Sequence, residues 1–180
     1  MRNRREEIRN RVEDLLGRAN IQQAPVNLEH VAKVLGLEIT VQNVAEEDSD
    51  ISGCLIRKGG RAVIGVNGQQ HKNRQRFTIA HEIAHFLLHE GETFHLDRAG
   101  SFRVNFRNSE SSTGANPEEV EANLFAAELL MPEKFLVEDL RKRGIDLSDD
   151  DSALVELAGE YGVSVQALTY RLANLGALPA

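Results

Sequence analysis

At 180 residues, with 41% hydrophobic and 27% charged residues, the chain can bury one well-formed core with a small appendage, and is too short for two ordinary domains. Its formal net charge of -7 argues against a nonspecific grip on nucleic acid, and no apolar run approaches the roughly 18 residues of a membrane span. Cys54 is the single cysteine, which excludes an intramolecular disulfide; with an N-terminus that mixes arginine and glutamate and opens no apolar stretch, the expected compartment is the cytoplasm.

The first segment predicts an amphipathic helix with Ile8, Val12, Leu15, Leu16 and Ala19 on one face and a solvated face of arginine and glutamate on the other. After Ala24-Pro25 a short helix runs through NLEHVAKVLG, with Asn27 as N-cap and Gly36 as its stop. From Leu37 to Val44 the period changes to two, as in a half-buried strand. An acidic loop, AEEDSD, leads into ISGCLIRKGGRAVIGVN, a β-hairpin turning at Lys58-Gly59-Gly60, with Ile51 to Arg57 and Arg61 to Val66 as its arms. Three strands ahead of a helix predict a small antiparallel sheet packed on that helix, and an exposed edge of such a sheet can take up an extended peptide as an added strand.

That helix is RFTIAHEIAHFLLHE, Arg76 to Glu90, which sets His81, Glu82 and His85 in the pattern His-Glu-x-x-His. Residues four apart on a helix lie about 40° apart around the axis and roughly 6 Å along it, so the two imidazoles can share one metal ion with Glu82 beside them. Where this motif binds Zn²⁺, the two histidines are ligands and the carboxylate is a general base on water. Asn73 is a candidate N-cap and Gly91 a stop, while Phe77, Ala80, Ala84 and Leu87, with Ile83 and Leu88 beside them, give an apolar stripe. A core helix with incidental histidines is the plainer alternative, but two imidazoles and a carboxylate are costly to bury without partners. His89 extends the spacing by another turn, yet it stands about 12 Å along the axis from His81, and zinc ligands sit within about 2.2 Å of the ion. It is expected to be a helix-end histidine favoured by the helix dipole. The metzincin pattern fails too, since its third histidine would fall at Gly91.

Gly91 to Asn116 is rich in Gly, Ser, Asn and Arg and longer than an ordinary connection. It predicts either a loop bordering a cleft or a mobile surface loop, and Phe102, Val104 and Phe106 allow a short strand within it. The next helix opens at Asn116-Pro117 and ends before Pro132. Glu118, Glu119 and Glu121 compete for the third ligand position. Glu119 has an advantage, because Asn123, four residues on, shares its face above Ala122 and Ala126, so that a ligand and a supporting amide can point the same way. The alternative for Glu119 is a capping-box carboxylate three residues after Asn116. A helix over Glu133 to Arg143 follows, and LVELAGEYGVSVQALTYRLANLG then has the outline of a helix-turn-helix. Its second helix carries Arg171 as its one cation, too few for a DNA reader; a packing or protein-contact element is expected, without direct nucleic-acid binding.

The chain resembles the ImmA/IrrE family of zinc peptidases, on RFTIAHEIAHFLLH, on the block from Glu119 to Pro132, and on the closing YGVSVQALTYRL. The resemblance implies an α+β, zincin-like (gluzincin-like) domain over 1–145, with a helical extension over 146–180 packed on it. It implies zinc held by His81, His85 and Glu119, the last being the first glutamate of Glu-x-x-Ala-Asn, with Glu82 as the catalytic base and Asn123 in support. It also implies an endopeptidase whose substrate is a separate helix-turn-helix repressor, cleaved to switch on mobile-element or stress genes. Tyr161, Tyr170, His95 and nearby arginines are candidates for stabilising the oxyanion. Two rival readings stand beside this one. In the first, Cys54 replaces Glu119 as third ligand, as in a peptide deformylase; in the second, the protein captures a repressor or antitoxin without cleaving it and zinc is structural.

Overall fold

The computed structural model describes residues 2–89, 94–98, 116–143 and 151–177. Helix α1 (Arg2–Arg18) buries Ile8, Val12, Leu15 and Leu16 as its pattern predicts. Helix α2 (Leu28–Leu35) begins where the Asn27 side chain accepts a hydrogen bond from the His30 amide at 2.8 Å, and it ends at Gly36 in the left-handed conformation. Strands β1 (Leu37–Gln42), β2 (Ile51–Lys58) and β3 (Arg61–Asn67) follow, then α3 (Lys72–Leu88) and a fourth strand, β4 (Phe94–Arg98). Helices α4 (Pro117–Leu130), α5 (Glu133–Arg143), α6 (Asp151–Tyr161) and α7 (Val165–Asn174) complete the described chain. The fold is α+β.

The sheet corrects one expectation. Its order is β1-β3-β2-β4, and it is mixed: β2 pairs antiparallel with β3 and with β4, but β1 runs parallel to β3. The tight Gly59-Gly60 turn fixes only the β2–β3 hairpin, whereas the longer connection after β1 lets that strand reach the far side of β3. β3 therefore lies in the middle, with Ala62, Ile64 and Val66 buried, in keeping with its nearly continuous apolar sequence.

Two features press the sheet and α4 against α3. Gly53 on β2 has no room for a side chain, since a Cβ there would stand 2.3 Å from Thr78 Cγ2 of α3 and 2.7 Å from the Gly65 carbonyl oxygen. On the other side, Ala80 and Ala84 of α3 and Ala122 and Ala126 of α4 are all fully buried, the small-residue surfaces that let two helix backbones approach closely. Arg57 of β2 closes the C-terminal end of α3 by donating to the carbonyls of His85 (2.8 Å) and His89 (3.1 Å), where the helix leaves acceptors unsatisfied.

The N-cap of α3 is His71, one position before the helix, rather than Asn73; its Nδ1 accepts from the Asn73 amide at 3.2 Å. Gly91 and the strand allowed at Phe102 to Phe106 lie outside the described residues, as does the 145/146 boundary. The C-terminal pair is a helix, a turn at Gly162 with φ of 64°, and a helix. Leu157, Tyr161, Leu168 and Leu172 from this pair join the same core as α3 and α4. Arg171 is engaged within the protein, donating from Nε to the Met131 carbonyl at 3.1 Å and pairing with Glu128.

Candidate metal centre

α3 turns His81, Glu82 and His85 inward, leaving the histidines 2% and Glu82 0% exposed. The Nε2 atoms of His81 and His85 face each other at 3.1 Å. α4 sets Glu119 opposite them, with Oε2 at 3.4 Å from His81 Nε2 and Oε1 at 3.3 Å from His85 Nε2. Glu119 is thus directed at the imidazoles and not back at its own helix terminus, where the Asn116 side chain caps by accepting from the Glu118 amide. Asn123, on the next turn of α4, accepts at Oδ1 from His81 Nδ1 at 3.1 Å. The Nδ1–H tautomer this requires leaves His81 Nε2 as the free donor atom. His85 places its own Nδ1 against His89 Nδ1 at 3.1 Å, so both motif histidines present the same nitrogen to one point.

A fourth donor reaches this point from β4. The ligand atoms of His81, His85, His95 and Glu119 lie within 4.8 Å of one another. β4 is held by pairing that sets His95 opposite Leu55, and by Arg74 of α3, which donates to Asp97 Oδ2 at 3.1 Å. His95 places Nε2 2.9 Å from Glu119 Oε1 and Nδ1 3.1 Å from Glu82 Oε2. It was legible only as one of several oxyanion candidates, and its strand was not legible at all. The reason is that Phe94 faces outward, 55% exposed, while Asp97 is buried, so His95 and Asp97 point in and the usual alternation signal is inverted.

The donor set fits a zinc ion. Ligand atoms at tetrahedral corners about 2.05 Å from zinc stand about 3.3 Å apart, and the three separations among His81, His85 and Glu119 are 3.1, 3.3 and 3.4 Å. Two imidazoles on one tetrahedral ion put their ring centres about 5 Å apart. His81 and His85 are 4.7 Å apart and edge-on, but His85 and His95 are stacked at 3.6 Å. That stack is too close for His85 and His95 to share the ion, which assigns His95 to the two carboxylates. Cys54, half-buried on β2, stands outside the group of converging atoms.

Charge at the site follows from the same contacts. Burial works against the Glu119 carboxylate, but its contacts with the His81, His85 and His95 imidazoles hold it well below the ordinary carboxylate range. Burial pushes His85 down to about 4, so the ring is neutral at pH 7. Burial opposes a charge on His95 as well, yet its hydrogen bonds to Glu119 and Glu82 raise it to about 10. An anionic carboxylate and a neutral imidazole are the forms a divalent metal accepts.

Of the other residues singled out, Tyr161 is fully buried and donates its hydroxyl to Asp139 Oδ2 at 2.7 Å. Glu118 is exposed, and Glu121 pairs with Arg4 of α1, which keeps its carboxyl low. Among the described residues no helix is long and apolar enough to cross a membrane.

A His-Glu-x-x-His helix, a carboxylate delivered by a second helix and a small flanking sheet define a zincin-like metal site. The family model described as the IrrE N-terminal-like domain, Peptidase M78, matches residues 32–173, and the chain belongs to that family. It is similar to the radiation response metalloprotease IrrE of Deinococcus deserti, 36% identical over 117 residues that make up 65% of this chain and 38% of that protein. It is likewise similar to the protein of that name from Deinococcus radiodurans, 32% identical over 117 residues, 65% of this chain and 32% of that one. The chain spans about a third of the length of these curated relatives.

Proposed function

We propose that this protein is a zinc-dependent endopeptidase that cleaves a separate helix-turn-helix repressor and thereby switches on mobile-element or stress genes. The observation that carries the hydrolytic part is the convergence of His81, His85 and Glu119 on one point with the Glu82 carboxylate beside it. Family membership supports peptidase chemistry, and the relatives are named for a metalloprotease in the radiation response.

His81, His85 and Glu119 hold the ion. When bound there, Zn²⁺ supplies Lewis acidity, acidifying water and polarising the carbonyl to be attacked. The rest is done by the protein. Glu82 is fully buried, its Oε2 is held by His95, and its Oε1 has no hydrogen-bond partner among the described residues. An unpaired buried carboxylate oxygen is an expensive feature and an apt one for a base: Oε1 takes the proton from the attacking water and returns it to the departing amine as the C–N bond breaks. His95 fixes which oxygen does this and sets a positive edge beside the reacting groups. Among the described residues β4, which carries His95, is an edge strand of the sheet, so a peptide added alongside it would run past the base.

The test is to incubate the purified, zinc-loaded protein with the candidate helix-turn-helix repressor and measure intact masses. Two fragments summing to the repressor plus one water are expected, and they should be absent after chelation. Stable capture with the repressor's mass unchanged would contradict cleavage and favour a binding role.

A further inference from the structure

At Nδ1, across the ring from the Nε2 that faces His81 and Glu119, His85 begins a second chain of contacts. Its Nδ1 faces His89 Nδ1 at 3.1 Å. His89, 8% exposed, places Nε2 3.4 Å from Glu121 Oε2. Arg4 of α1 grips that carboxylate with both ends of its fork, from Nε to Oε1 at 2.8 Å and from Nη2 to Oε2 at 2.6 Å; its Nη1 also pairs with Glu7 at 2.7 Å. Four groups from three helices are thus joined end to end, and the far end lies before residue 32, where the match to the family begins.

A cation at His85 Nε2 would order the protons of this chain in one direction. If His85 Nε2 faces a cation, its proton is on Nδ1 and is donated to His89 Nδ1. His89 then carries its proton on Nε2, which donates to Glu121, an acceptor only. Each link sets the tautomer of the one before it. The weak point is Glu121, whose side chain is 24% exposed and would turn to solvent unless a bidentate arginine held it.

We propose that the N-terminal helix is part of the metal centre: Arg4, through Glu121 and His89, holds His85 in its ligating tautomer and orientation. Arg4, Glu121 and His89 are positioning residues, and the proposal rests on the reading that His81, His85 and Glu119 hold zinc. It gives His89 a role beyond that of a helix-end cation, and it gives Glu121, a rejected contender for the third ligand, a place behind the second.

Zinc affinity tests this without recourse to activity. Zn²⁺ is titrated in competition with a chromophoric chelator into the wild type, Arg4→Ala, His89→Ala and the double variant, each checked for native circular dichroism. Partners behind a ligating histidine are worth about 10- to 100-fold in metal affinity, so His89→Ala is expected to weaken binding by at least about 10-fold and Arg4→Ala, two links out, by about fivefold. In the His89→Ala background the Arg4 substitution should have no further effect, because the link it acts through is gone. A purely structural Arg4 would weaken binding equally in both backgrounds, and that result would overturn the proposal, as would unchanged or tighter binding by Arg4→Ala. Should Arg4→Ala fail to fold, Glu121→Gln is carried through the same cycle with the same expected and overturning results. The parent reading fails separately, if His81→Ala binds zinc as tightly as the wild type.

Discussion

Replacing Glu82 with glutamine is expected to abolish peptide hydrolysis while leaving zinc in place. The carboxylate is not one of the three converging ligand groups; it lies beside them, with Oε2 on His95 and Oε1 unpaired among the described residues. Glutamine keeps its length and shape, so the cavity is not altered, but an amide has no basic oxygen to take a proton from water. General base catalysis contributes about 10²- to 10⁴-fold, and turnover should fall by at least that much. The measurement is paired: metal content by atomic emission, and cleavage rate on the same preparation. Full cleavage by pure Glu82→Gln enzyme would sink the assignment of the base. Loss of zinc in the variant would show instead that Glu82 is a ligand.

The second large effect is expected at Glu119. Its carboxylate faces the Nε2 atoms of His81, His85 and His95 at once, at 3.4, 3.3 and 2.9 Å, and is the single anionic group among the converging donors. Glu119→Ala should lower zinc affinity by more than the roughly 10- to 100-fold that outer partners contribute, because it removes a ligand and the negative charge together. Three imidazoles would then face one another without an acceptor between them. Calorimetric zinc titration of the folded variant reads this directly. Affinity close to that of the wild type would show that His95 or another group is the true third ligand.

How much of this could be read without coordinates depended on how local each signal was. The His-Glu-x-x-His spacing, the Asn27 and Asn116 caps, the Gly59-Gly60 turn and the Gly162 turn each lie within a few residues, and the structure places all of them as the pattern predicts. The meeting of Glu119 with the motif helix is a long-range event, yet it left a trace, because Ala122 and Ala126, which let α4 approach α3, lie on the same face of α4 as Glu119 and Asn123. The His71 cap was hidden by Asn73, a better capping residue two positions later whose own amide turns out to be the one capped.

What was not legible had no local signature. β4 is short and turns His95 and Asp97 inward, so its alternation points the wrong way, and His95 is hidden with it. The parallel pairing of β1 depends on which side of β3 an earlier strand finds free, which no turn residue encodes. Arg4 and Glu121 are separated by 117 positions, and in sequence each is one charged residue among many on a helix surface. Only the fold shows that this pair stands behind His89.

In the function proposed here, His81, His85 and Glu119 hold one zinc ion and leave a corner of it to solvent. X-ray absorption at the zinc edge, on protein loaded with one equivalent of Zn²⁺, tests it most directly. Two imidazoles and two light oxygen donors, one of which exchanges with added anion, is the predicted result. Three imidazoles would put His95 on the metal, and a sulfur scatterer at about 2.3 Å would put Cys54 there; either would contradict the account.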